Sequence, residues 1–343
     1  MKKYFPYIAV VAILAAATGY FLFKNYYKTP EQLEAEFAVK DESLIRTIVL
    51  QDNKGHKLQL TAKNGKWMVN SKYEAREELM KYLMEALTRI ASLTPVPNNA
   101  HDNVVRDIMS EHIKVQLYDE KQKLIKAYWV GDASLDNRGT YMLMELDGKP
   151  AARPHITYLP GYQGYITPRF NTDEEVWRSR KIFSDPAALI TELTVQYFAA
   201  PEKSFHILRT KEDSLQVSPL QPGFSIQAPY EQKYVQQYLD FYSSISMEAF
   251  DNAYSGRDSL LSTTPYCRII LQNKKGESKE VNLYRMAINK RSKTQYDLQG
   301  KEIDYDIDRF YASVNGGKDF VIVQYYVFGK LLREYKDFFF KPS

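Results

Sequence analysis

Residues 4–23, YFPYIAVVAILAAATGYFLF, run for twenty positions without a charged side chain. An α-helix rises about 1.5 Å per residue, so the tract matches the roughly 30 Å hydrocarbon core of a bilayer. It predicts a single membrane-spanning helix, with everything after it forming one water-soluble body on one side. Lys2 and Lys3 precede the span, and Lys24 and Lys28 follow it before Glu31, Glu34 and Glu36. A short head with two lysines places the amino terminus in the cytoplasm and the body in the periplasm, anchored in the inner (cytoplasmic) membrane. The competing expectation is a cleaved signal peptide, since Ala15, Ala16 and Ala17 supply small residues for a peptidase. Apolar residues continue past them through Tyr20, Phe21, Leu22 and Phe23, which fits an uncleaved anchor better. Within the tract Ala9, Ala12, Ala16 and Gly19 line one helical face, a candidate packing face for a partner helix.

About 310 residues follow the anchor, more than one hydrophobic core usually serves, which points to two domains or a duplicated unit. The 46 basic and 42 acidic side chains are interspersed, so no basic block asks for nucleic acid. The sole cysteine, Cys267, is far from the amino terminus, so it neither carries a lipid there nor forms an internal disulfide. The aromatic content is unusual, with 27 Tyr and 17 Phe against 3 Trp. Tyrosine suits a half-buried strand, its ring packed and its hydroxyl wet, and a sugar-binding surface would use the same residue.

Residues 1–28 are expected to be the anchor and 29–44 a polar stalk lifting the body from the headgroups. Ile45, Ile48 and Leu50, then Leu58 and Leu60, then Trp67, Met68 and Val69 predict a three-strand meander with turns at Asn53-Lys54-Gly55 and Asn64-Gly65. Leu79, Leu83, Leu87, Ile90 and Leu93 predict a helix that Pro95 and Pro97 stop. Ile113, Val115 and Leu117, the stretch from Ala127 to Val130, that from Tyr141 to Leu146 and that from Ile156 to Tyr158 add short strands. The order then recurs. Ile190, Leu193 and Val195 echo the first strand; Phe205, Ile207, Leu215 and Val217 supply the next; Tyr230 opens a helix carrying Val235, Tyr238, Tyr242 and Ile245. Cys267, Ile269 and Leu271 and the return strand from Val281 to Tyr284 follow, and Tyr296 stands for Tyr141. The expected fold class is therefore α+β: two similar units over 45–168 and 190–343, each a mainly antiparallel sheet with a helix on one face. The joint, 169–189, carries Trp177, Arg178, Arg180, Ile182 and Phe183. Trp177, Ile182 and Phe183 are expected to pack into a seam, while Arg178, Arg180 and Lys181 face water. The alternative is that this segment forms a binding patch.

The Ile-x-x-Ile-x-Leu strand, the Gly-Lys-Trp-Met-Val strand, the leucine-spaced helix and the Trp-Arg-x-Arg-x-Ile-Phe segment, behind an amino-terminal anchor, resemble the bacterial envelope proteins of domain-of-unknown-function family 4340. Similar domains accompany the auxiliary subunits of gliding-motility ABC transporters. The resemblance covers most of residues 45–200 and implies location and fold. It carries no catalytic residues.

Asp304, Asp306 and Asp308 have the opening spacing of a calcium loop, but Arg309 stands where that loop needs glycine and Asn315 where it needs glutamate. The five histidines, His56, His101, His112, His155 and His206, lack zinc spacing. His101 with Asp102 and Glu111 with His112 are candidate acid/base pairs, though adjacent side chains usually diverge and a surface role is favoured. Neither a nucleophile elbow nor a phosphate-binding glycine loop occurs. Cys267 lies in an alternating apolar run, as a buried small hydrophobe would. No catalytic, cofactor or metal residue is assigned. The expectation is an anchored extracytoplasmic binding or scaffold protein contacting another envelope protein. The alternatives are an accessory subunit of an ABC-type transporter or of gliding or secretion machinery, and a sensor or enzyme acting on glycan or peptide through its aromatic surface.

Overall fold

The computed structural model describes residues 13–16, 18–19, 28–226, 228–290, 292–297 and 299–339. Most of the 4–23 tract, including Ala9 and Ala12, lies outside them. Residues 13–16, 18 and 19 are helical. Among the described residues no helix is long and apolar enough to cross a membrane. The chain divides into two compact units between Ser179 and Arg180, a mixed α and β architecture of antiparallel sheets with helices.

The first unit is built on β1 (Thr47–Asp52), β2 (Lys57–Lys63), β3 (Lys66–Val69), β4 (Tyr73–Glu74), β5 (Ala91–Pro95), β6 (Ile113–Tyr118), β7 (Leu124–Ala133), β8 (Thr140–Leu146), β9 (Lys149–Pro150) and β10 (His155–Tyr158). Their order across the sheet is β4-β3-β2-β1-β6-β7-β8-β10-β5, with β9 on β8. Period-two alternation sends Leu58, Leu60, Val115, Leu117, Tyr128 and Val130 to one face, where the Glu77–Arg89 helix covers them with Met80, Leu83, Met84 and Leu87. Trp129 and Leu143 point to the other face and pack under Val104 and Ile108 of a second helix, Asn98–Ser110.

Three expectations are corrected here. The first helix ends at Arg89, not beyond Leu93. Ile90 turns extended, and Ala91–Pro95 joins the sheet edge with Leu93 exposed. Pro95 is tolerated because an edge strand has a free side, and Pro97 caps the next helix instead of stopping the first. Each sheet also carries a helix on both faces, not one. Finally, residues 29–44 are not a free stalk. Thr29 and Gln32 form a reciprocal capping box around Pro30. Glu34 Oε1 then accepts from the amide of Ala152 at 3.0 Å, and Phe37 is wholly buried, edge-on to Tyr128 at 5.8 Å.

The second unit contains β11 (Lys181–Phe183), β12 (Ile190–Tyr197), β13 (Phe205–Arg209), β14 (Leu215–Pro219), β15 (Ile245–Ser246), β16 (Ala249–Phe250), β17 (Cys267–Asn273), β18 (Ser278–Ala287), β19 (Tyr305–Val314) and β20 (Asp319–Gln324). The main sheet runs β14-β13-β12-β17-β18-β19-β20-β16, and β11 pairs with β15. The Gln232–Asp240 helix covers one face with Val235, Tyr238 and Leu239. Leu260 and Leu261 of a short helix, Arg257–Leu261, pack on the other against Tyr284, Met286, Tyr311, Phe320 and Ile322. Ile245, expected on the first of these helices, lies on β15 after a 3₁₀ turn. The strand equivalent in order to β8 is β19, and Tyr296 lies outside it, bridged to Glu302.

Tyr73, Tyr118, Tyr141 and Tyr158 are half-buried on strands of the first unit, as expected of tyrosine. In the second unit three hydroxyls are internal: Tyr238 donates to the Leu331 carbonyl at 2.8 Å and lies 2.9 Å from the Tyr242 hydroxyl, while Tyr197 donates to Arg333 O at 2.9 Å. Burial raises all three phenols well above the usual range, so they stay neutral donors.

Candidate functional site

The residues singled out in the 169–189 segment serve two different cores. Trp177, 2% exposed, closes the Glu174–Trp177 turn and donates Nε1–H to the Asn171 carbonyl at 2.7 Å. Arg178 does not face water. It is buried, with its guanidinium 3.7 Å from the centroid of Tyr73, a desolvated cation–π contact in the first unit. In the second unit Phe183 is fully buried edge-on to Tyr242 at 5.1 Å, Ile182 packs beside it, and the half-buried Arg180 accepts from the Met247 amide through its carbonyl at 2.9 Å. Trp177 and Arg178 thus pack within the first unit, and Ile182 and Phe183 within the second. Of the membrane packing face, Ala16 and Gly19 are described and exposed.

The carboxylates of the calcium-like spacing do not converge. Asp306 is buried and accepts from Ser292 Oγ, from the amides of Asp308 and Arg309, and from the Arg309 guanidinium at 2.9 Å. Burial pushes its carboxyl up, but these hydrogen bonds outweigh burial and leave it below the usual carboxylate range. No group of three metal-ligating side chains occurs among the described residues. Adjacent His101 and Asp102 do meet, Nδ1 to Oδ1 at 2.8 Å, on the surface of the first unit. The partner of His112 is the carbonyl of Ile108 and not Glu111. Asp52 lies 2.8 Å from His56 Nδ1 and accepts from Thr172 Oγ1 at 3.1 Å. A hydroxyl-activating relay needs the imidazole between hydroxyl and carboxylate, and here the carboxylate is in the middle. Cys267 is buried and its thiol is pushed up to about 12, the reverse of a nucleophile's environment.

Each unit carries a concavity. In the first unit a groove of about 750 Å³ runs beside the Glu77–Arg89 helix, floored by Trp67, Met80 and Met84 and rimmed by the Lys66–Glu74 ion pair. In the second unit a cleft of about 430 Å³ opens where β20 ends against the middle of β19, with Arg309 paired across to Gln324. The chain then turns into the Tyr325–Phe328 helix, which leaves Tyr325 half exposed and Tyr326 93% exposed. Glu248, just before the edge strand β16, anchors its amide on Ile322 O at 2.8 Å and lines the cleft with Lys293 and Asp308. Its Oε2 is buried and has no hydrogen-bond partner among the described residues. An aromatic strip on the same sheet is made by Tyr266 stacked on Phe310 at 5.6 Å, with Phe310 6.3 Å from Tyr325 and the Arg285 guanidinium over both Tyr266 and Tyr305. Sequence reasoning did not assemble this cleft. Its lining comes from residue 248, residue 293, residues 308 and 309 and residues 324–326, and only the exposed Tyr325-Tyr326 pair at a strand end is a local signal.

No family model, no curated protein and no solved structure matches the chain.

Proposed function

We propose that this chain is a single-pass extracytoplasmic binding or scaffold protein of a bacterial envelope, held by residues 4–23 in the inner membrane and working by contact instead of catalysis. The observation that carries the reading is the twenty-residue charge-free tract behind a lysine-bearing head. The body is proposed to be an internal duplication. What supports that is the sheet order: β2 and β1 beside β6, β7 and β8 in one unit, and β13 and β12 beside β17, β18 and β19 in the other. In both units the long helix follows the opening strands, after β4 in one and after β14 in the other, and a second helix precedes the return to the centre of the sheet. Two such units offer two separate contact surfaces, which suits a scaffold joining partners in one compartment.

The test is topological. A phosphatase reporter fused after Ser343 is expected to be active only when it lies outside the cytoplasm. Mass spectrometry of the mature chain is expected to find residues 4–23 still attached. Activity of a cytoplasm-restricted reporter at the same position, or a mature chain starting after Ala17, would overturn the reading.

A further inference from the structure

We propose that the cleft of the second unit binds a neutral saccharide. It would do so whether or not residues 4–23 span a bilayer, because every group involved belongs to the second unit. The cleft, about 430 Å³, is large enough for a small ligand.

The polar groups of the cleft constrain its ligand from both sides. Among the described residues Glu248 Oε2 is a buried acceptor without a donor, and leaving a carboxylate oxygen so is costly, so the ligand must donate there. Lys293 also lines the cleft and is exposed; an ammonium only donates, so the ligand must accept there. The remaining cation, Arg309, is held by Asp306, which removes it as an anion receptor. An anionic ligand would meet Glu248 and Asp308, and a cationic one would meet Lys293. A ligand that satisfies both signs is uncharged and presents donors and acceptors side by side. Hydroxyls do so, each carrying one donor and two lone pairs.

The walls select the rest of the molecule. Tyr325 and Tyr326 hold rings in solvent at the cleft, where an apolar surface with wet edges is matched by a flat ligand with C–H groups on its face and hydroxyls around its rim. A pyranose ring has that form. Tyr325 is also positioned: a Cβ added at Gly329 would come within 3.1 Å of its ring, so the close helix turn leaves the ring little room to swing back.

The test uses the full chain, solubilised in a detergent without a sugar headgroup and titrated with cellotetraose, chitotetraose and maltotetraose. At least one is expected to bind with a Kd of about 1 mM or tighter, and Glu248→Ala and Tyr325→Ala are each expected to weaken it by about tenfold or more. Tyr326→Ala, at a side chain with almost no packing to lose, is expected to weaken it as well and serves if either other variant fails to fold. The proposal is overturned if no tetrasaccharide binds, if binding survives Tyr326→Ala together with Tyr325→Ala, or if a lysine-containing tripeptide binds in their place through the carboxylates.

Discussion

Lys126 shows how a single side chain ties the segment entering the first unit to the sheet. Its ammonium donates to the carbonyls of Glu36 and, at 3.0 Å, Ala38, so the chain entering the first unit is pinned to β7. Burial lowers its pKa from 10.5 to about 8, overcoming the nearby Glu36 carboxylate, which raises it, and helped by Lys28 and Lys40. Between about pH 8 and 10.5 the unfolded chain binds more protons at this site than the folded one, so its contribution to stability rises with pH across that window and is flat below it. Lys126→Met removes the titration and leaves the two carbonyls without their donor at every pH. The urea midpoint of the native chain, measured against that of the variant, is therefore expected to pull further ahead as pH rises from about 8 to 10. A constant difference would show that the buried ammonium is not the titrating group.

At the scale of elements, the Glu77–Arg89 helix owes its place to one face: Met80, Leu83, Met84 and Leu87 recur at three- and four-residue spacing and are buried, Leu83 and Leu87 completely. Leu83→Ala or Leu87→Ala leaves a cavity against the sheet and is expected to cost about 2 to 5 kcal/mol in chemical denaturation. A change below about 0.5 kcal/mol would place the helix elsewhere. An edge strand is managed differently. The amides of Leu215 and Val217 on β14 donate to the Gln232 side chain and the Tyr230 hydroxyl at 2.8 and 3.0 Å, and both side chains return bonds to the Leu215 carbonyl. Side chains thus occupy backbone groups that would otherwise pair with a foreign strand. The strands and this helix were legible because their periods, two and near four, are written in single runs of apolar residues. Leu93 misled because its spacing prolongs the helical pattern after the chain has already turned at Ile90 into a strand. The Asn98–Ser110 helix escaped because it buries only Val104 and Ile108, too narrow an apolar stripe to stand out in its sequence. The burial of Arg178 escaped because a cation is expected outside, and nothing near it in sequence announces the ring of Tyr73. The cleft around Glu248 was illegible for the same reason at longer range, since β-sheet register brings its lining together.

At the scale of the whole molecule, the packing of Phe37 and Glu34 into the first unit shortens the link between body and tract to a few residues before Thr29. Under the proposed anchoring, a body held that closely has little freedom to search for a partner, which favours a partner that also meets it in the membrane. In lipid there is little hydrophobic drive for helices to associate, so close approach over small side chains decides which faces pack. Ala16 and Gly19 are helical and exposed, and a Cβ added at Gly19 would meet nothing within 4 Å, so neither is used by the described body. With Ala9 and Ala12 they form the small-residue face of the proposed span. Ala12→Leu combined with Ala16→Leu keeps the tract apolar and able to insert but fills that face. Cross-linked or co-purified complexes of the full chain are expected to disappear while membrane insertion persists. Complexes that survive both substitutions would assign partner contact to the folded units and leave residues 4–23 as a tether. Loss of insertion is not expected, since leucine is at least as favourable as alanine in hydrocarbon.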